Sequence, residues 1–371
     1  MQLIIQEKRI KRTLLLLFLT FLVYLLGFYP DFVENWYSLG FYPLFADFLR
    51  RIFGWLPFSL GDLLYFAIGC WILVIFIRFF LSFSRKKSTS AGLFQLIGSL
   101  LRFVCWTYLI FKLFWGLNYN RQGIASQLSI KHTLYAKEEV TALTRALIQK
   151  TNECRKRLPD TSLPVYAVPQ IIQQAVNNYR ILQTIYPFLQ YDHPSVKSSM
   201  YSNIADYIGF TGYYAPLTGE AQLRTDIPGI LLPYITCHEI AHQLGYASES
   251  EANFVGYLAA SVSGNAYFNY SVYLDLLGYA QGQEFLLYAQ DSSFKALEMV
   301  LDYNRTHIDS LVKKDRKEIR RFFMERSNKI APVSADLYDQ YLKFNKQLRG
   351  INSYDEVIGW LIAYSKKRGR I

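Results

Sequence analysis

The sequence predicts a mainly α-helical protein: N-terminal helices that cross a membrane, then a mostly helical globular domain with one small β-hairpin. Three observations predict this. The first 117 residues hold three long apolar runs separated by charged or turn-forming segments. Beyond them, apolar residues recur mostly at helical spacing. One stretch, 208–225, instead alternates apolar and aromatic residues around Pro216-Leu217-Thr218-Gly219, the pattern of a hairpin. Composition agrees. Apolar residues make up 51% and aromatics 17% of 371 residues, and the mean hydropathy of +0.09 lies between soluble and fully embedded chains.

The first apolar run, 13–29, is uncharged and long enough to span a bilayer. It is long for a signal peptide, and Tyr29-Pro30-Asp31 follows it where small residues would mark a cleavage site. The second run covers 63–83, with Arg78 near its far end, where a long cationic side chain can snorkel. The third, 93–116, is interrupted by Gly98, Arg102 and Lys112, and fits a span with each charge near one interface. Between the first two runs, Phe41 to Leu60 is rich in Phe, Trp and Leu. It reads either as an amphipathic segment on the membrane surface or as a helix packed on the spans.

The formal net charge of +11 invites a nucleic-acid reading, but no nucleic-acid motif accompanies it. Much of it flanks the spans: Lys8, Arg9, Lys11 and Arg12 precede the first, and Arg85, Lys86 and Lys87 lie between the second and third. The loop after the first span has only Arg50 and Arg51. The positive-inside rule then places the N-terminus inside and, after three spans, residues 118–371 outside the cytoplasm. Lys313 to Arg321 and Lys366 to Arg370 read as solvated faces or lipid contacts. Four cysteines supply no disulfide framework. Cys70 and Cys105 read as small core residues, Cys154 and Cys237 pair only if the fold joins them, and Cys237 reads more simply as a buried thiol.

In the globular part, Lys137 to Leu158 is an amphipathic helix, 159–169 a loop or short strand, and Gln170 to Leu189 a second helix. A helix after Pro233 carries His238-Glu239-Ile240-Ala241-His242 and is placed to end at Gly245. The stretch from Asp309 to Arg326 reads as an exposed helical face.

The pentapeptide has a specific chemistry. Residues four apart share a helix face, so both imidazoles reach one metal ion. Glu239 can then take a proton from water at the metal's open position. A third protein ligand is needed. In one common zinc pattern it is a histidine six residues after the second, but Ser248 stands there. In the other it is a Glu from a second helix, often within E-x-x-x-D, and this chain offers Glu249-Ser250-Glu251-Ala252-Asn253. Glu249 is the expected ligand, and Asn253, on the same face, can hold a histidine N–H from behind. Glu251 competes. Ser248-x-x-Glu251 is a capping-box pattern that would occupy Glu251 at the backbone and leave Glu249 free.

HEIAHQLGYASESEANFVGYL, the preceding TGYYAPLTGEAQ and the three spans resemble a family of bacterial membrane-bound zinc-metallopeptidase-like proteins. The motif is more distantly similar to gluzincin peptidases. The resemblance covers most of the chain and is closest over 200–260. It implies a zincin-like domain in the cytoplasmic membrane, with zinc held by His238, His242 and Glu249 and Glu239 as base. Asn253 where Asp is usual, and the short gap between His242 and Glu249, depart from the gluzincin pattern. The expected activity is zinc-dependent hydrolysis of a peptide or protein, with a strand around Ile208–Tyr214 holding substrate backbone by β-addition. Tyr213 and Tyr214 are the expected substrate contacts. An oxyanion needs a further donor, and Tyr213, Tyr214, Tyr338, Tyr341 and His193 are all available. With 29 tyrosines in the chain, each tyrosine reads more simply as packing, and none is assigned the role. The competing expectation is a non-catalytic scaffold with a structural zinc site.

Overall fold

The computed structural model describes residues 2–85, 90–130, 135–290 and 294–369. Lys86, Lys87 and Arg370 lie outside the described residues, so two of the charges behind the topology expectation have no structural counterpart.

The N-terminal part begins with α1 (Gln2–Leu26). After a turn at Gly27–Tyr29 come the short α2 (Pro30–Phe32), a π-helical segment (Val33–Phe41) and α3 (Tyr42–Phe53). Then come α4 (Leu60–Arg85) and α5 (Ser90–Phe114). All three apolar runs are helical, each extending past the N-terminal limit of its run. Two helices are long and apolar enough to cross a membrane, through Leu60–Arg78 and Ile97–Phe114. Glu7–Leu26 passes the same test only together with Pro30–Phe53, from which it is bent by 93°. α1 packs on α5 through Leu16, Cys105 and Leu109, and Arg102 reaches Thr13 Oγ1 at 3.3 Å. Lys112 is buried at the end of α5 and donates to Gly116 O (3.1 Å) and Asn120 Oδ1 (3.2 Å), which answers the cost of a charge there. Cys70, expected in a core, is exposed on α4 because that face of the helix has no protein neighbour. Cys105, Cys154 and Cys237 are buried, and all four cysteines are free thiols.

The second part continues with α6 (Ile124–Leu128), α7 (Lys137–Lys156) and α8 (Val168–Ile185), then β1 (Val196–Ser198), α9 (Ala205–Ile208), β2 (Gly212–Ala215) and β3 (Glu220–Leu223). The two motif helices follow, α10 (Leu232–Gln243) and α11 (Glu249–Ser261). The chain closes with α12 (Ala266–Gln290), α13 (Phe294–His307), α14 (Ser310–Glu325), α15 (Ala331–Phe344) and α16 (Val357–Arg368).

The strands form one sheet in the order β1-β3-β2. β2 and β3 are the expected antiparallel hairpin, with Tyr213 opposite Gln222. β1 runs parallel to β3. The strand expected around Ile208–Tyr214 is shorter than foreseen, since 205–208 turn as helix and Gly209 breaks the chain at φ +86°. That leaves β2 as an edge.

α10 and α11 form the centre of the domain. Every residue of α10 except Ile235 is buried, as is every residue of α11 except Ser261. Neither shows one apolar stripe, because protein surrounds both. Tyr179, Ile240, Phe254, Val272 and Leu276 belong to the main core around them. On α14, Asp315 is a buried exception to the exposed face read from the sequence. It accepts from Arg155 Nε (2.7 Å) and from the hydroxyl of Tyr270 (2.6 Å).

A smaller core joins the two parts of the chain. It contains Val33, Tyr37, Tyr42, Trp115, Tyr214 and Ala247. α3 therefore packs on the domain and also touches the end of a span, with Phe45 against Phe114 of α5 at 4.9 Å. Its Tyr42, Ala46, Leu49 and Arg50 are buried, while Leu44, Phe48 and Ile52 on the other face are exposed.

Candidate metal centre

The C-terminal end of α10 is set by a local device. Gly245 adopts φ +87°, and Tyr246 N bonds back to Ala241 O at 3.2 Å, the 6→1 bond of a Schellman turn. That reversal sends the chain straight into α11 and lays Glu249 across the two histidines.

The imidazoles of His238 and His242 stand perpendicular, 4.7 Å apart at their centroids. Glu249 Oε2 lies 3.3 Å from Nε2 of His238 and 3.5 Å from Nε2 of His242. The three ligand atoms fall within 4.8 Å of one another, and all three residues are buried. His242 Nδ1 lies 2.7 Å from Tyr246 O. A carbonyl only accepts, so Nδ1 donates to it and Nε2 is the ring atom directed at Glu249. Tyr338 of α15 donates to Glu249 Oε1 at 2.7 Å. Glu249 Oε2 is buried with no hydrogen-bond donor among the described residues. An unanswered carboxylate oxygen facing two imidazole nitrogens fits a cation, and this donor set, two N and one O, suits zinc.

Electrostatics agree with that fit. Burial pushes Glu249 up, but the flanking His242 and His238 outweigh it and hold the carboxyl well below its ordinary range. Burial disfavours charge on His242, yet Glu249 and Glu239 raise it to about 9. Glu239 is pushed up to about 7 by burial, against the pull of His238 and His242. Its Oε2, too, is buried with no hydrogen-bond partner among the described residues. A carboxyl near neutrality accepts and returns a proton readily at cellular pH.

Glu251 turns away from the centre, but not by the expected route. Ser248 makes no side-chain cap, and its Oγ is 3.0 Å from Ser250 Oγ. Glu251 instead accepts from Ile124 N at 2.8 Å, because the start of α6 offers an unpaired backbone donor there. Asn253 is buried on α11, its carbonyl accepts from Tyr234 OH at 3.0 Å, and it borders the same cavity as the cluster.

That cavity has a volume of about 710 Å³. His238, Glu239, His242 and Glu249 form its floor, and Tyr213 and Tyr214 stand on one wall. The hydroxyls of both tyrosines are engaged. Tyr213 donates to Asp62 Oδ1 at 2.5 Å, and Tyr214 accepts from Tyr42 at 3.1 Å. β2 passes so close to the motif that a Cβ on Gly212 would lie 2.4 Å from Glu239 Oε1. Only glycine fits there. Tyr341 lines the cavity with Tyr338, whereas His193 lies elsewhere, paired with Asp47 at 2.8 Å. A more open cleft of about 840 Å³ lies beside α7, α8 and α16. Its carboxylate, Glu139, is tied to Lys366 at 2.6 Å, and it contains none of the His/Glu cluster.

Four contributors were not legible in the motif. Tyr338 was foreseen only as one donor among many, and it orients Glu249. Trp115 Nε1 donates to His242 O (3.4 Å), and Tyr42 donates to Gln243 O (3.2 Å), so the last carbonyls of α10 are held from the N-terminal part. Asp275 of α12 also lines the cavity, and burial raises it to about 6 against the pull of His238.

Residues 37–362 match the family model DUF3810, described as a protein of unknown function. The chain belongs to that family. No curated protein and no solved structure matches it. The family description assigns no chemistry, so for DUF3810 the chemistry rests on the geometry just described.

Proposed function

We propose that this DUF3810 protein is a membrane-anchored zinc-dependent hydrolase, a peptidase of gluzincin-like design that cleaves amide bonds. One observation carries the reading. Nε2 of His238, Nε2 of His242 and Oε2 of Glu249 converge at the floor of an open cavity, with Glu239 and a sheet edge beside them. Three protein ligands and an accessible side are the arrangement of a catalytic zinc site, while a structural one is normally closed by four.

His238, His242 and Glu249 would hold the zinc, which would supply Lewis acidity to water and to the substrate carbonyl. Glu239 takes a proton from the attacking water and delivers it to the leaving nitrogen. The carbonyl carbon gains the water oxygen, the C–N bond breaks, and an acid and an amine are released. Backbone groups on the free edge of β2 can pair with an extended substrate beside Glu239. The Lys/Arg distribution about three spans supports an extracytoplasmic domain, and the family resemblance supports a bacterial cytoplasmic membrane.

The test is metal analysis of the purified full chain. One zinc per wild-type chain, lost in His238→Ala, is expected. Equal metal content in both would overturn the site.

A further inference from the structure

We infer that the substrate is itself held in the bilayer, and that the scissile bond lies only a few residues from its point of exit. The inference rests on the hydrolase reading above and narrows its substrate class.

α3 supplies the first argument. It lies at 93° to α1, so if α1 crosses the bilayer, α3 runs along its surface. Its upper face clamps α10: Tyr42 and Arg50 both reach Gln243 O. Its lower face exposes Leu44 (76%), Phe48 (56%) and Ile52, and Trp55 follows at 76%. That is the make-up of an interfacial helix with its apolar side in the acyl region. The end of the metal-binding helix is therefore about one helix diameter, ~10 Å, from lipid.

The cavity itself reaches the same boundary. Tyr65, one turn into α4, lines it together with Trp115 and Tyr119, which directly follow α5. These positions flank the ends of the two apolar helices, so the cavity wall begins where those helices would leave the bilayer. α15, which forms the opposite wall, is pinned near the membrane exit of α1, since Lys346 just beyond it donates to Gly27 O at 2.5 Å.

Exposed apolar side chains neighbour both walls in the chain. Met200, Ile204 and Tyr207 are exposed beside the wall formed by Tyr201 and Ile208, and Val333, Leu337 and Phe344 are exposed along α15. Exposed apolar side chains beside the cavity are costly in water but suit a segment emerging from lipid. An extended chain rises about 3.3 Å per residue, so ~10 Å corresponds to about three residues between bilayer and zinc. The occupant is thus a membrane-anchored polypeptide with an apolar juxtamembrane segment.

The test reconstitutes the full chain in liposomes with one randomised peptide library in three formats. The library is fused to a transmembrane helix through about three residues, fused through about twenty, or left free in solution. Cleavage of the short-tether format at least about tenfold faster than either other format, and abolished by Glu239→Gln, is expected. Equal rates in all three, or preference for the free or long-tether library, would overturn the inference and leave the hydrolase standing. Zinc-loaded protein that cleaves no format in a Glu239-dependent way would overturn both.

Discussion

Two buried charged clusters in this protein are built on opposite principles. Between α7, α12 and α14, Arg155 and Asp315 meet at 2.7 Å, and Tyr270 and the Pro159 carbonyl take up further bonds. Charge there is answered by protein. Between α10 and α11, Glu249 Oε2 and Glu239 Oε2 are as deeply buried, yet have no hydrogen-bond partner among the described residues. A buried charge costs several kcal/mol unless it is paired. Two carboxylate oxygens left without a donor beside two imidazoles are what supports the proposed metal site.

The sharpest way to break this contrast is to neutralise one member of each cluster. Glu239→Gln should lower hydrolysis by about 10²–10⁴-fold while zinc and fold are retained. Turnover beside metal content checks it, and full activity in the variant would remove Glu239 as base. Asp315→Ala should do the reverse. Stranding Arg155 should cost about 3–5 kcal/mol of stability, seen by chemical or thermal unfolding, with the zinc site unchanged in the protein that still folds. Tyr338→Phe sharpens the comparison further. Loss of the bond to Glu249 Oε1 should weaken zinc binding about 10–100-fold, measured by competition with a chelating dye, with little change in unfolding temperature.

The smallest effect is in pH. In the metal-free chain His242 is raised to about 9, so between pH 7 and 9 zinc must displace a proton from it. Zinc affinity should therefore rise with pH across that window, by up to about tenfold per unit, and level off above it. A flat profile would show that His242 gives up no proton on binding.

Legibility from sequence followed the range of the contacts. The H-E-x-x-H pair is an i, i+4 relation on one helix, and Gly245 ends that helix as read. The hairpin was visible from its turn. Glu249 was selected over Glu251 by a capping argument that the structure does not follow. Glu251 is occupied instead by Ile124 N, 127 positions away in the chain, a contact no local pattern encodes. Tyr338 acts on Glu249 from 89 positions away and Tyr42 on Gln243 from 201. β1 is three residues long and too short to announce itself. The stretch Phe41–Leu60 showed its apolar character but not that one face of α3 would lie under the domain.

That clasp on α10 has a consequence for how the molecule can be handled and controlled. The carbonyls of His242 and Gln243 are capped by Trp115, Tyr42 and Arg50, all from the first 117 residues. A fragment starting at Asn118 would carry the three proposed metal ligands and Glu239, yet leave the end of the helix that bears the histidines frayed. Shedding the domain from the bilayer would therefore switch it off rather than set it free.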